Sequence, residues 1–313
     1  MILVAGSVAI DHVMDFPGRY ADHILPEKIH IINLSFQVDT LKKERGGTGA
    51  NIAYNLALLG EKPKLLATVG EDFAKYRYWL EKTGVDTQLT SAVPFEFTSS
   101  FFVFTDKADN QIGAFYQGAM KHANELSIKT AKLSKRDFVI IAPTEVSAMT
   151  KYANECQELD LPYLFDPGMQ LPRFNDQDLK KSVYGARILI GNDYEIEVIK
   201  KRLKMTNGGL RKIVDVLVTT LGEKGSLIET KKEKIIIPPV KPNEIVDPTG
   251  AGDAYRAGFM KGYLKNLPLA VCGKMGSLAA SYAIEKYGTT NHWFNLKKFK
   301  VRYQESFGEK LEL

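Results

Sequence analysis

The chain has 313 residues, 44% apolar and 25% charged, and its 42 Lys and Arg against 37 Asp and Glu leave a formal charge of +5. That balance excludes a disordered or collagenous chain. Two cysteines exclude a disulfide framework, and basic residues scattered in pairs such as Lys42-Lys43 and Lys200-Lys201 speak against a nucleic-acid surface. In chain order, short apolar or β-branched runs predict strands over 2–10, 64–69, 138–142, 163–166, 188–191 and 216–221. Between and after them, apolar spacing predicts helices over 50–59, 72–83, 145–159, 193–203, 253–264 and 269–286. Near-continuous apolar strands between helices argue for a mainly parallel sheet covered on both faces. Cys156 and Cys272 fall in helical patterns and are expected to be buried.

Two stretches break that rhythm. Residues 12–45 are extended and contain Pro17 and Pro26. Residues 93–117 hold two strand patterns, 99–105 and 111–116, around a turn-like 106–110. Together they predict a small β-sheet lid standing off a large α/β domain made of 1–11, 46–92 and 118–313. No apolar run reaches membrane-spanning length and residues 1–5 lack a basic n-region, so a cytoplasmic protein with no membrane partner is expected.

Familiar nucleotide and metal motifs are missing. The pair Gly273-Lys274 is followed by Met275, which rules out a Walker A loop, and Ile52 spoils a dinucleotide fingerprint after Gly47 and Gly49. The five histidines are isolated, so zinc chemistry is unsupported.

The most informative segment is Asp247-Pro248-Thr249-Gly250-Ala251-Gly252-Asp253. Small residues let the backbone bend tightly, and N–H groups at the helix start favour an anion. Asp253 beside such a site repels the bound charge unless it takes a proton from an attacking hydroxyl. The alternative is a helix whose dipole Asp253 merely complements. A second Gly-rich helix start is Gly46-Gly47-Thr48-Gly49-Ala50-Asn51, and the helix it opens stops at Gly60.

In this order the two segments resemble the paired signatures of the ribokinase-like (PfkB) sugar and nucleoside kinases. Asn192-Asp193-Tyr194-Glu195 is similar to that family's N-x-x-E element, and Val218 to Gly225 to its strand-and-turn nucleotide motif. Within the family, Gly6-Ser7-Val8-Ala9-Ile10-Asp11-His12, Phe115-Tyr116-Gln117-Gly118-Ala119-Met120 and Asp166-Pro167-Gly168-Met169-Gln170-Leu171 resemble bacterial adenosine kinases. The resemblance runs from residue 2 to about residue 291. It implies a ribokinase-like α/β fold with a β lid, and ATP-dependent phosphorylation of the adenosine 5′-hydroxyl to give AMP and ADP. Another nucleoside or sugar, ribose or a hexose for example, is the nearest alternative, and a non-catalytic nucleoside-binding regulator a more distant one.

The resemblance also implies roles. Asp253 is the expected base, with an anion hole at Gly250, Ala251 and Gly252. Asp11, at a strand's carboxyl edge, suits a ribose diol or caps a turn. Gly47 lets the sugar approach the backbone, Asn51 hydrogen-bonds a hydroxyl, and Ser7 reaches the purine or the ribose. Phe101 and Phe115 either sandwich the base or pack the hairpin, with Phe95, Phe97, Phe102 and Phe104 competing. Gln170 and Arg173 close over the base or, for Arg173, the phosphates. Asn192 and Glu195 organise Mg²⁺ through water, and Thr220, Gly222 and Gly225 hold the nucleotide. A monovalent cation such as K⁺ near Asp247 is allowed. The apolar lid predicts a homodimer through its free face.

Overall fold

Residues 1–31 and 33–313 are described by this computed structural model, so the expected lid segment is described apart from residue 32. The strands in chain order are β1 (Ile2–Ala5), β2 (Ala9–Asp15), β3 (Thr40–Gly46), β4 (Lys64–Val69), β5 (Thr90–Ala92), β6 (Ser99–Thr105), β7 (Gln111–Tyr116), β8 (Phe138–Ile141), β9 (Tyr163–Phe165), β10 (Ile188–Asn192), β11 (Val216–Thr220), β12 (Ser226–Glu229) and β13 (Lys234–Ile237). The α-helices are α1 (Thr48–Leu58), α2 (Ala74–Thr83), α3 (Val146–Glu158), α4 (Asp176–Val183), α5 (Asp193–Leu203), α6 (Asn207–Ile213), α7 (Ala251–Leu264), α8 (Leu269–Ile284) and α9 (Leu296–Phe307).

The large sheet runs β13-β12-β11-β10-β9-β8-β1-β4-β5. It is parallel from β5 to β11, and only β12 and β13 pair antiparallel at one edge. Alternation along each strand feeds two cores. Ile2 and Val4 pack with α1, α2, α7 and α8, whereas Leu3 and Ala5 pack on the opposite face with α3. Both faces are therefore apolar, which is why these strands read as continuous apolar runs. From β1 the chain builds outward one way to β4 and β5, then returns beside β1 as β8 and builds the other way. The crevice outside the carboxyl ends at this reversal is where open α/β sheets bind ligands.

The expected strand 2–10 is two strands. Ser7 N–H donates to the Pro143 carbonyl (2.9 Å), ending the large-sheet pairing, and α1 crosses so closely that a Cβ on Gly6 would lie 2.8 Å from Gly49 Cα. The chain turns there and β2 enters a second, four-stranded sheet, β3-β2-β6-β7. This sheet is mixed: β2 pairs parallel with β6 and antiparallel with β3, and β6–β7 is the expected hairpin. Helix α2 starts two residues later than expected because a 3₁₀ turn, Glu71–Phe73, precedes it. Both cysteines are buried thiols. Among the described residues no helix is long and apolar enough to cross a membrane.

Candidate active site

Two cavities open at the carboxyl edge of the large sheet, on either side of the first turn of α7. The first, of about 430 Å³, is roofed by the small sheet and reaches Thr249, Gly250 and Asp253. The second, of about 540 Å³, lies beside α8 and reaches Pro248, Ala251 and Gly252. One short segment thus forms a wall of both. It can turn that sharply because Gly250 sits at φ +82°, and a side chain there would meet Thr289 at 2.9 Å. Ala251 N–H donates back to the Pro248 carbonyl (3.2 Å), so it is less available to an anion than expected. The N–H groups of Gly252 and Asp253 have no partner among the described residues and carry the positive end of the helix dipole.

In the sheet-roofed cavity, Asp11, Phe101 and Phe115 lie in one cross-strand row on β2, β6 and β7. Phe102 points to the other face and stacks on His12, while Phe95 and Phe97 are exposed outside the cavity, so Phe101 and Phe115 are the two phenylalanines at the cavity. Ser7, Gly47 and Asn51 line the opposite wall. Ser7 Oγ accepts the Thr48 N–H (3.1 Å), which leaves its own proton to donate. Gly47, at φ +94°, presses on the chain itself: a Cβ would lie 2.5 Å from Ala9 N. Its glycine is therefore required by the β1–β2 turn whatever the cavity holds.

Asn51 Nδ2 donates to Asp253 Oδ2 (2.8 Å). Asn51 Oδ1 lies 2.9 Å from the Thr289 hydroxyl, which is also 2.8 Å from the Arg45 carbonyl. A carboxylate accepts only, so the amide must turn its NH₂ to Asp253. Burial raises the Asp253 carboxyl to about 6, against the downward pull of Arg256 and the Asn51 hydrogen bond. Asp11 is also raised to about 6, by burial first and then by the charges of Glu44 and Asp247. Two carboxyl groups that change charge near neutral pH thus face one cavity, a pattern common at functional sites.

Gln170 lines this cavity, but Arg173 does not: it is exposed, and its Nη1 donates to Gln170 Oε1 (3.1 Å). Thr220, Gly222 and Gly225 line the second cavity together with Pro239, Ile245 and Ile284. Asn192 and Glu195 line neither. They form the capping box of α5, each side chain accepting the other's backbone N–H at 2.8 Å. Asp247 bridges Thr249 N–H and Gly288 N–H, both at 2.9 Å, and so holds the turn before Gly250 against the 288–289 loop. Sequence reasoning gave no role to Met120, Thr289 or Arg256. Met120 and Arg256 stand inside or beside the motifs; Thr289 carries no sequence signal.

The model of the pfkB carbohydrate kinase family matches residues 5–294. A nucleoside kinase of Methanocaldococcus jannaschii is 34% identical over 289 residues, covering 92% of this chain and 91% of that protein. A nucleoside kinase of Methanothermobacter thermautotrophicus is 34% identical over 291 residues, covering 92% and 90%. Among solved structures, the Burkholderia thailandensis nucleoside kinase in complex with inosine superposes with a TM-score of 0.88 at 31% identity, covering 99% of each chain.

Proposed function

Because this chain belongs to the PfkB family of carbohydrate kinases, we propose that it transfers the γ-phosphoryl group of ATP to the 5′-hydroxyl of a purine ribonucleoside, adenosine first, giving AMP and ADP. The observation that carries this reading is the shared wall: Asp253 faces one cavity and the Ala251-Gly252 backbone the other. Relatives named nucleoside kinases, one of them also solved with ADP and inosine together, support a nucleoside over a plain sugar. So does a cavity with two phenylalanine rings beside Asp11 and across from Asn51, since rings bind a flat base and a carboxylate and an amide bind hydroxyls.

In this reading the nucleoside lies under the small sheet with its diol on Asp11 and its 5′-oxygen at Asp253. Asp253 takes the 5′-proton as that oxygen attacks the γ-phosphorus in line, and the bridging oxygen leaves with ADP. The Gly252 and Asp253 N–H groups stabilise charge on the transferring oxygens. The small sheet excludes water, which limits hydrolysis. Mg²⁺ would neutralise charge on the donor phosphates. Among the described residues no cluster of three or more His, Cys, Asp or Glu could cage an ion, and Glu195 has one oxygen outside its capping bond; this fits a metal held mainly by phosphates and water. A monovalent cation enters no step.

The outer face of the small sheet carries a cross-strand row of Leu41, Met14, Phe104 and Ile112, two of them strongly exposed. A second copy applied face to face would cover it, and we expect a homodimer. Light scattering that returned a clean 35 kDa species would remove that expectation.

The function is tested by ADP release with adenosine, inosine, guanosine and ribose side by side. Adenosine is expected to turn over with the highest kcat/KM and ribose to be the poorest. Higher kcat/KM for inosine, the ligand of the Burkholderia relative, would move the assignment to a 6-oxopurine nucleoside. Ribose as the best acceptor would overturn it.

A further inference from the structure

Behind the first turn of α7 lies a buried ion pair. Arg256 follows Asp253 by three residues, so both point to one side of the helix. Its guanidinium is almost wholly enclosed, and Asp166, just past the end of β9, is fully buried. Arg256 Nη2 donates to Asp166 Oδ1 (3.0 Å), and Nε meets Oδ2. One hydrogen bond and one close charge contact thus hold the buried guanidinium against the buried carboxylate.

The third nitrogen reaches the turn itself. A Cβ on Gly252 would lie 2.7 Å from Arg256 Nη1. Gly252 therefore leaves room for the guanidinium from behind, in addition to any anion from the front. A cation under this turn adds to the field of the two unpartnered N–H groups. It also acts on Asp253, where its downward pull on the carboxyl exceeds the upward push of Asp166. The other charged or polar groups around Asp253 are Asn51 on α1 and Asp11 on β2 across the cavity, while Glu195 on α5 faces Arg256. Stability alone is a poor reason for such a pair, because well-packed apolar side chains of similar volume do as well or better.

We infer that Arg256 is a positioning residue for phosphoryl transfer: held by Asp166, it fixes the Gly252-Asp253 turn against the sheet edge and sets a positive charge behind the Asp253 carboxylate. This rests on Asp253 being the base, as proposed above.

The test is the double variant Asp166→Asn/Arg256→Gln, which removes both charges together and lets two amides meet. It is compared with wild type and Arg256→Lys, using whichever acceptor of the panel the wild type phosphorylates. A wrong substrate reading then shows in the panel and a wrong role for Arg256 in the variants. In the double variant, kcat should fall about 10- to 100-fold, as for a reacting group displaced by a fraction of its length, with the nucleoside KM nearly unchanged. The acid limb of its kcat/KM profile should move to higher pH, a change that a purely structural pair would not produce. Arg256→Lys keeps the charge and loses the guanidinium nitrogen under Gly252, so its kcat should fall while its acid limb stays in place. Wild-type kcat and an unmoved limb in the double variant overturn the inference. If the double variant does not fold, wild-type kcat in Arg256→Lys overturns it instead.

Discussion

The two cavities that meet at α7 are built from different chemistry. Under the small sheet, Asp11, Asn51, Gln170 and Asp253 face the space with two phenylalanine rings. Beside α8 the walls are mainly Pro239, Val240, Pro242, Ile245 and Ile284, with Thr220, Glu223 and Lys241, and the serine and tyrosine hydroxyls are already committed. Ser277 Oγ accepts Val240 N–H (2.8 Å) and Ser281 Oγ donates to the Leu278 carbonyl (2.9 Å). The first space can select a ligand by its hydroxyls, because a site that hydrogen-bonds a hydroxyl rejects an analogue lacking it. The second can hold a flat group by shape and dispersion. The contrast fits an acceptor that must be chosen and oriented on one side and a common donor on the other.

The largest break in that contrast should come from Asp253→Asn. Asparagine is nearly isosteric and cannot take a proton, and loss of a general base costs on the order of 10²–10⁴-fold. Turnover should fall by that much while ATP affinity, set in the other cavity, changes little. In the wild type the carboxyl at about 6 must be ionised to act, so kcat/KM should fall as pH drops below about 6. Asp11, also at about 6, titrates in the same window, so the limb belongs to the pair. A variant within a few-fold of wild-type turnover would show that Asp253 is not the base.

A smaller effect, confined to one cavity, is expected from Asp11→Ala. A hydrogen bond to a charged group is worth roughly 1.5–3 kcal/mol, so the nucleoside Kd should rise about 10- to 100-fold with ATP binding unchanged. Calorimetry with each ligand separates the two. The 2′-deoxynucleoside should lose affinity in the wild type and lose little more in the variant. Equal wild-type efficiency with the ribo- and deoxy-nucleoside would remove Asp11 from the diol.

How far the sequence reaches is visible in these same residues. Strand β4, hairpin strands β6 and β7, and helix α5 lie where apolar periodicity puts them, because both faces of the large sheet are buried and the hairpin carries turn residues. The split of 2–10 falls at Gly6-Ser7, a short interruption between two apolar runs whose weight becomes clear only from the crossing of α1 at Gly6. Strands β12 and β13 are short and flank a turn with Lys231 and Lys232, so although β12 is largely buried the stretch reads as a charged loop. In the site, residues whose neighbours carry a motif could be named. Thr289 could not, since its contact with Asn51 spans 238 positions of chain. Nor could Arg256 be given a role, since its partner Asp166 is 90 residues away and the pairing exists only in the folded sheet.

The smallest predicted effect concerns stability and sharpens the contrast from the other side. Folding raises the Asp253 carboxyl from its ordinary 3.8 to about 6, so the folded chain binds that proton more tightly than the unfolded one. Its contribution to stability is then fully present below about pH 4 and is lost as pH rises through about 6. Above that, the folded site carries an ionised carboxylate at a cost. A shift of this size is worth at most about 3 kcal/mol at about 1.4 per unit, and solvent screening at the half-buried carboxyl reduces it to about 1 kcal/mol. Asp253→Asn should therefore raise Tm at pH 7–8 and leave it nearly unchanged at pH 4, where wild type is already neutral. Ser281→Ala, in the apolar cavity, should change Tm equally at both pH values because no charge is involved. Thermal unfolding of the three proteins at the two pH values checks this. A Tm for Asp253→Asn that is no higher than wild type at pH 8 would mean that the acceptor cavity stores no electrostatic strain at Asp253.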